Sequence, residues 1–259
     1  MRLSHMFPKR IQVLAILIVL LAGASGTRAQ FAPGAGLNFG GARFETAMAR
    51  IFGSNTAFSA ALEVETKDSK TAEPIFVPAK LSFLGGKSRL TVDLSQTKGT
   101  RLAPGAAAQL KTMGLAEMVV ISRPDKSASL LIYPGLQGYV EQPRSEKEPT
   151  LAPSQIKLSF TELGKETVDG HACAKQKAVV SFGEGTPYEA TVWKAVDLKD
   201  FPVKVELTGE KNPATITFKN VEFAKPSADA FEAPKDFTRY DSPQSMLQQG
   251  MLRMLGGGK

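Results

Sequence analysis

The only cysteine of the chain lies two residues after a histidine, in the stretch "DGHACAKQKAVVSF" (169–182). His171 and Cys173 are residue types that bind zinc or that pair as a thiol nucleophile and its base. Zinc requires four protein ligands, or three and a water, and the only other histidine is His5 near the start of the chain. A metal site here would therefore need carboxylates from elsewhere in the sequence.

The residues around this pair also have the pattern of a β-hairpin. The Asp-Gly dipeptide before the histidine supplies the positive φ angles of a tight turn. The residues that follow alternate between two faces, which predicts a strand with an incidental thiol. Neighbouring lysines favour a lowered thiol pKa, so a redox-sensitive cysteine is the alternative. The apolar face holds Ala172, Ala174, Ala178, Val180 and Phe182, and the polar face holds Cys173, Lys175, Lys177 and Ser181.

The sequence contains no other motif that is typical of an enzyme. It lacks the Gly-x-Ser-x-Gly elbow of hydrolases, the His-Glu-x-x-His motif of zinc proteases and a phosphate-binding loop. Paired carboxylates can hydrolyse glycosides, but Glu63, Glu65 and Asp93 lie on the polar sides of predicted strands, which is typical of a solvated face. We therefore expect no catalytic residue, no metal site and no cofactor, and we predict that the protein is not an enzyme.

The beginning of the chain predicts export. Residues 1–29 combine Arg2, Lys9 and Arg10 with the apolar stretch "IQVLAILIVLLAG" and end at Ala29, as a cleavable signal peptide does. After its removal, 28 of the 32 basic residues remain against 25 acidic ones, a balance of about +3 that gives no reason to expect nucleic acid as a partner. A single cysteine excludes an internal disulfide. We expect a periplasmic or secreted protein with no integral membrane span once the signal peptide is removed.

The rest of the chain predicts an antiparallel β domain. A flexible glycine-rich lead-in covers 30–42, and a short amphipathic helix covers 43–52. Beyond it the apolar period changes to two, which predicts roughly nine to eleven strands within a domain at 43–241. Residues 242–259 are predicted to form a methionine-rich amphipathic helix and tail. The helix after each strand that a parallel sheet requires is missing from the pattern.

The order of these elements resembles the LolA/LolB superfamily, typified by outer-membrane lipoprotein carriers, and most closely a set of uncharacterised exported domains related to it. The stretches that carry the resemblance include "FSAALEVET", "GKSRLTVDL", "LGKETVDGHACAKQKAVVSF" and "NVEFAKPSADAFEAPKDFTRYD", within residues 44–241. The resemblance implies a mainly β fold, an unclosed antiparallel β-barrel whose apolar concave side is covered by a helical lid and holds acyl chains. In the carriers an arginine followed by proline latches the lid. "KSRLTV" has Arg89 without the proline, so that role is not transferred.

A large sheet with one apolar face must be covered by another layer, a partner or an apolar ligand. We therefore predict a non-enzymatic exported protein that binds an acyl chain, a lipid or a lipidated protein, as a periplasmic carrier would. The alternative is a structural or protein-interaction module of the cell envelope that binds no small ligand and docks an envelope protein. The predicted cavity wall and lid residues are Phe44, Met48, Leu62, Val64, Leu90, Val92, Trp193, Phe218, Leu247 and Met251. Among these, Trp193 has the strand parity of polar neighbours.

Overall fold

The computed structural model describes residues 41–67, 72–99, 105–143, 155–182, 187–207 and 213–256. The predicted signal peptide and residues 30–40 of the predicted lead-in lie outside these ranges. The α-helices are α1 (Gly41–Phe52), α2 (Ala106–Thr112) and α3 (Pro243–Gly256). The strands of the first half are β1 (Ala57–Lys67), β2 (Pro74–Leu84), β3 (Lys87–Asp93), β4 (Glu117–Arg123), β5 (Ala128–Tyr133) and β6 (Gly138–Pro143). Those of the second half are β7 (Ile156–Val168), β8 (His171–Phe182), β9 (Tyr188–Ala195), β10 (Phe201–Leu207), β11 (Ala214–Glu222) and β12 (Thr238–Tyr240).

All described strands belong to one sheet with the order β12-β6-β5-β4-β3-β2-β1-β11-β10-β9-β8-β7. Neighbours are antiparallel apart from the parallel pair β12 and β6. In the described part of the chain the two end strands, β7 and β12, do not pair with each other, so the sheet does not close. The predicted fold class, a mainly β protein with an unclosed antiparallel barrel and covering helices, is confirmed. The described strands number twelve, more than predicted, partly because 238–240 adds a short edge strand beside β6.

Helix α1 packs on one face of the sheet, which we call the inner face. Along β1, Phe58, Ala60, Leu62 and Val64 are buried on this face, with Phe58 against Phe52 of the helix, while Glu63 is exposed. This is the alternation of a strand with one covered face, because successive side chains point to opposite sides. The cross-strand neighbours continue the same row of apolar side chains, so the inner face forms the main core.

The predicted hairpin turn joins β7 to β8. Asp169 (φ 50°) and Gly170 (φ 84°) are both left-handed, and Val168 pairs directly with His171, as a two-residue turn requires. The predicted faces of β8 are correct toward its C-terminal end. Near the turn the burial of the two faces is reversed, because Cys173 is buried and Ala172 is exposed. The short helical turn at 196–198 contacts β8 and covers the other face of the strand there.

The opposite, outer face carries a second, smaller core behind β4 and β5. Val119, Ile121, Leu130 and Ile132 pack there around Phe231, which is 0% exposed. The segment that follows β11 thus folds back across the outer face. Strands β4 and β5 are therefore covered on both sides, whereas β7 is exposed along most of its length.

Candidate functional site

The His171–Cys173 pair is arranged as part of a strand and not as a thiol with its base. The Cys173 thiol donates a hydrogen bond to the backbone carbonyl of His171 (3.3 Å), while the His171 ring hydrogen-bonds through Nδ1 to the Asp197 carboxylate (2.7 Å). Burial raises the pKa of the Cys173 thiol, where neighbouring lysines were expected to lower it. Within the described residues, no group of three or more His, Cys, Asp or Glu side chains is placed to hold a metal ion.

Trp193 is buried although it lies on the outer face. Its neighbours on the adjoining strands are Lys175 and Lys204, whose ammonium groups lie 4.8 and 4.3 Å from the ring centroid. Its indole N–H donates to Glu166 (2.9 Å), and this hydrogen bond and one from Lys175 hold the pKa of the Glu166 carboxyl below its usual range. Lysine stems can cover an apolar ring while the charge stays in water. Trp193 therefore does not line the inner face, and its position follows its strand parity.

The middle of the inner face is filled by a phenylalanine cluster. The cluster consists of Phe52 from α1 and Phe58, Phe83, Phe201 and Phe218 from the sheet. The Phe52 ring centroid lies 4.9, 5.2, 5.9 and 5.8 Å from the other four centroids in that order. These separations are those of favourable aromatic pairs. The cluster anchors the C-terminal end of α1 to the sheet and occupies the space that a ligand would need there.

An open cleft of about 620 Å³ lies between α1 and the edge strand β7. Ala49 of the helix and Gly53 just after its end form one wall, and Ile156 and Leu158 of the strand form the other. Arg50 and Thr46 also line it. Ile156 and Leu158 share the inner face because their partners on β8, Phe182 and Val180, are buried there. The cleft is thus a trough with an apolar strand wall and a helix wall that carries a threonine and an arginine.

The apolar strip of β7 continues past the cleft to Phe160. This ring is 36% exposed and lies on the inner face, since Phe160 pairs with the buried Ala178. The Lys194 ammonium lies 3.6 Å from its centroid. Burial lowers the pKa of Lys194, and the negative charge of Asp200 opposes that shift. A partly desolvated cation therefore stands at the Phe160 end of the strip.

Most of the predicted wall residues lie on the inner face, but in the packed core. Leu62, Val64, Val92 and Phe218 are buried there, and Leu90 packs against them while only partly buried. None of these residues lines the cleft. These residues belong to the packed core of the inner face and not to the open cleft.

The predicted lid residues divide between two helices. On α1, Met48 is buried and Phe44 is half-buried, with its ring 6.3 Å from that of Tyr188. On α3, Leu247 is buried beside the fully buried Met246. The Met251 side chain lies outside the described part of the structure. Helix α3 contacts β6 and β12, at the end of the sheet opposite β7. The two helices therefore cover different parts of the inner face.

The residues that line the cleft were missed by the sequence prediction. The alternation in "QIKLSF" (155–160) indicates a strand with Ile156, Leu158 and Phe160 on one side. The missing information was that this strand is the edge of the sheet beside α1. The polar flank of an amphipathic helix, with Thr46 and Arg50, gave no sign that it borders a cleft.

Arg89 does not reach the inner face. It pairs with Ile121 of the outer core, and its guanidinium donates to the Ala230 carbonyl (3.0 Å). Nearby, Arg123 forms ion pairs with Glu141 (2.6 Å) and Glu232 (2.8 Å). These arginines hold the 227–237 segment against the outer face, which is a different role from latching a lid over the inner one. No helix in the described ranges is long and apolar enough to cross a membrane.

No family model matches the sequence, and no curated protein matches it. Solved structures do match. A chain of the Pseudomonas aeruginosa MucA/MucB complex has 13% sequence identity and a TM-score of 0.39, over 75% of this chain and 62% of that one. LprF from Mycobacterium bovis has 13% identity and a TM-score of 0.37, over 75% and 97%. A LolA superfamily protein from Nitrosomonas europaea has 9% identity and a TM-score of 0.36, over 72% and 94%.

LolA-superfamily-like proteins are thus among the structural neighbours of this chain, as the sequence resemblance predicted. This chain spans less than two thirds of the matched chain from the MucA/MucB complex. At these identities and TM-scores the likenesses carry no argument about function, which must come from the site itself.

Proposed function

We propose that this protein binds the acyl chain of a lipid or of a lipidated protein in the cleft between α1 and β7, and that it catalyses no reaction. The observation that carries the proposal is the open cleft of about 620 Å³ at the unclosed edge of the sheet, whose strand wall consists of Ile156 and Leu158. Small-molecule sites typically have volumes of about 300–1,000 Å³ and mainly apolar linings.

The shape of the cleft supports an elongated apolar ligand. One wall is a row of alternate side chains on a strand, and such residues recur about every 7 Å along a straight line. The other wall is the side of a helix whose adjacent face is anchored by Phe52. A linear trough between a fixed helix and an edge strand suits a flexible hydrocarbon chain better than a compact polar molecule.

Binding of a pyrene-labelled fatty acid to the delipidated chain 30–259 tests the proposal. We expect saturable binding that unlabelled palmitate displaces. In Leu158→Gln the affinity should fall about tenfold, because a polar amide in the apolar trough is left without a partner when the ligand excludes water. Leu163→Gln is the matched control, since Leu163 lies on the same strand, is 52% exposed and does not line the cleft.

Two results would contradict the proposal. If the delipidated wild-type protein shows no saturable binding, it does not have the ligand-binding function. If Leu158→Gln and Leu163→Gln lose affinity equally, the ligand binds outside the cleft. Thermal unfolding of both variants checks that neither change acts through the fold.

The second candidate is a protein-interaction module of the cell envelope. The exposed edge strand β7 favours this function. An exposed edge strand offers unpaired backbone groups to a partner strand. On the other edge, α3 carries Leu252, which is 67% exposed. Crosslinking in the native host would support this function if a partner is lost in Leu252→Asp while fatty-acid binding stays unchanged. Deleting 242–259 is a poorer test, because it also removes the fully buried Met246.

We also propose that residues 1–29 direct export to the periplasm or beyond the cell. The mature protein should then begin at Gln30. Mass spectrometry of the protein purified from its own host measures this start, and a bound amphiphile would appear in the native spectrum as added mass. A chain that retains residues 1–29 would contradict the proposal of a cleaved signal peptide.

A further inference from the structure

Lys194 differs from the other described lysines of the same three strands. On the outer face, Lys175, Lys177 and Lys204 each form an ion pair with a glutamate, at 3.1, 2.9 and 2.8 Å. Among the described residues, Lys194 has no carboxylate within ion-pair distance, and its ammonium instead lies over the Phe160 ring. Each of the other three lysines has a direct ion pair, whereas Lys194 has only the charge of Asp200, which lies beyond ion-pair distance.

The sheet register places Lys194 on the inner face. It follows the core residues Ala190 and Val192 with the same parity along β9. Its contact with Phe160 connects it to the strip of β7 that forms the cleft wall. Phe160 follows Leu158 by two residues, a distance of about 7 Å along a strand. The lysine therefore stands beyond one end of the apolar trough and not beside an unrelated surface.

A half-buried ammonium without a directly paired anion loses hydration that the Phe160 ring and the charge of Asp200 replace only in part. Proteins usually offset this cost with a paired carboxylate, and a ligand anion can provide the same charge. The Lys194 ammonium, which lies over the Phe160 ring, is thus a positive charge at the end of the strip with which a ligand anion can pair.

We propose that the ligand of the cleft is an anionic amphiphile, with its acyl chain along Ile156, Leu158 and Phe160 and its carboxylate or phosphate on the Lys194 ammonium. This inference rests on the proposed function and specifies the chemical class of the ligand. Arg50, on the helix wall, adds a second positive charge to the same cleft. An uncharged chain of equal length would fill the trough without pairing with the lysine.

Competition against the pyrene-labelled fatty acid with four unlabelled compounds tests the inference on the delipidated chain 30–259. Palmitate carries a carboxylate, 1-palmitoyl lysophosphatidic acid carries a phosphate, and methyl palmitate carries no charge. Inorganic phosphate supplies the anion without a chain. We expect the two anionic amphiphiles to bind about tenfold more tightly than methyl palmitate, as for one charge-assisted hydrogen bond. Inorganic phosphate should not compete.

Three variants test whether the preference for an anionic amphiphile depends on the charge of Lys194. They are Lys194→Met, Lys194→Arg and Lys177→Met. Lys194→Met should abolish the preference for an anion and leave the affinity for methyl palmitate unchanged, whereas Lys194→Arg should keep the preference. Lys177→Met, on the outer face, should behave as wild type. The relative affinities of palmitate and lysophosphatidic acid then decide between the two head groups.

The outcomes separate the inference from the function on which it rests. If charged and uncharged chains bind equally, or if Lys194→Met keeps the preference, the anionic class is overturned while chain binding in the cleft stands. If no compound binds the wild-type protein, both are overturned. Competition by inorganic phosphate at the same concentration as palmitate would overturn the requirement for a chain.

Discussion

The inner face has two regions that differ in how completely they are filled. In the phenylalanine cluster, Phe52 contacts four other rings and every member is at most 6% exposed. At the β7 edge, Leu158 borders a cleft and Phe160 is 36% exposed. The first region fixes the helix on the sheet, and the second leaves apolar surface available. In this fold, stability and proposed binding are therefore properties of different ends of the same apolar face.

The difference has a topological cause. The cluster draws its members from α1 and from four strands that lie near the middle of the sheet, so each ring has neighbours on both sides. Strand β7 has a partner on one side only. Side chains at an edge cannot be surrounded by the sheet itself, and the helix covers them only partly. An unclosed sheet thus produces an apolar cleft wherever the covering helix ends short of the edge strand.

The largest expected effect comes from truncating the centre of the cluster. Phe52→Ala should lower the free energy of unfolding by about 3–5 kcal/mol, because it removes a buried ring and leaves a cavity between four others. Phe160→Ala should lower it by less than about 1 kcal/mol, since that ring is partly solvated in the folded protein. Urea unfolding followed by circular dichroism measures both. Equal losses in the two variants would mean that the two regions are packed alike.

The comparison also separates what the sequence could predict from what it could not. The helix 43–52, the hairpin at 169–170 and the apolar parity of β1 were predictable, because each depends on residues close together in the chain. The cleft depends on which strand lies at the edge and on where α1 crosses the sheet. The apolar alternation along the sequence contains neither piece of information, so it indicates only that Ile156 and Leu158 belong to a strand.

Two residues show the limits of strand parity in opposite ways. Trp193 has the parity of the outer face and lies there, although it was included among the predicted cavity-wall residues. Cys173 was assigned to a polar face, yet it is buried because the 196–198 turn folds over that face near the hairpin. Parity predicts the side of the sheet correctly, but only the tertiary structure decides whether that side is covered.

Two glycines extend the comparison to smaller effects. Gly138 lies under α3, where a Cβ atom would come within 2.8 Å of the Tyr240 ring and 3.1 Å of Met246 Cγ. Gly138→Ala should therefore cost about 1–3 kcal/mol of global stability through overpacking. Urea unfolding measures this cost, and a change below about 0.5 kcal/mol would show that the end of the sheet under α3 is looser than the phenylalanine cluster.

Gly170 in the β7–β8 turn has open space around it but a φ of +84°. Gly170→Ala should cost about 1 kcal/mol, because an alanine is strained in that conformation. Hydrogen exchange should show faster opening confined to β7 and the paired part of β8, since the hairpin lies at the edge of the sheet. Faster exchange spread evenly over the phenylalanine cluster would contradict the separation of the two regions.

The smallest effect concerns the Cys173 thiol, which reports on opening at that same edge. Burial raises its pKa, so less of it is thiolate at pH 8 than in an unfolded chain, and the 196–198 turn blocks access. Labelling by iodoacetamide at pH 8 should therefore be at least about tenfold slower in the folded protein than in urea, because the reagent must wait for local opening. Gly170→Ala should speed this labelling and Gly138→Ala should not, since only the first weakens the β7–β8 hairpin. Rapid labelling of the folded wild-type protein would instead identify a reactive thiol and restore the redox-sensitive alternative.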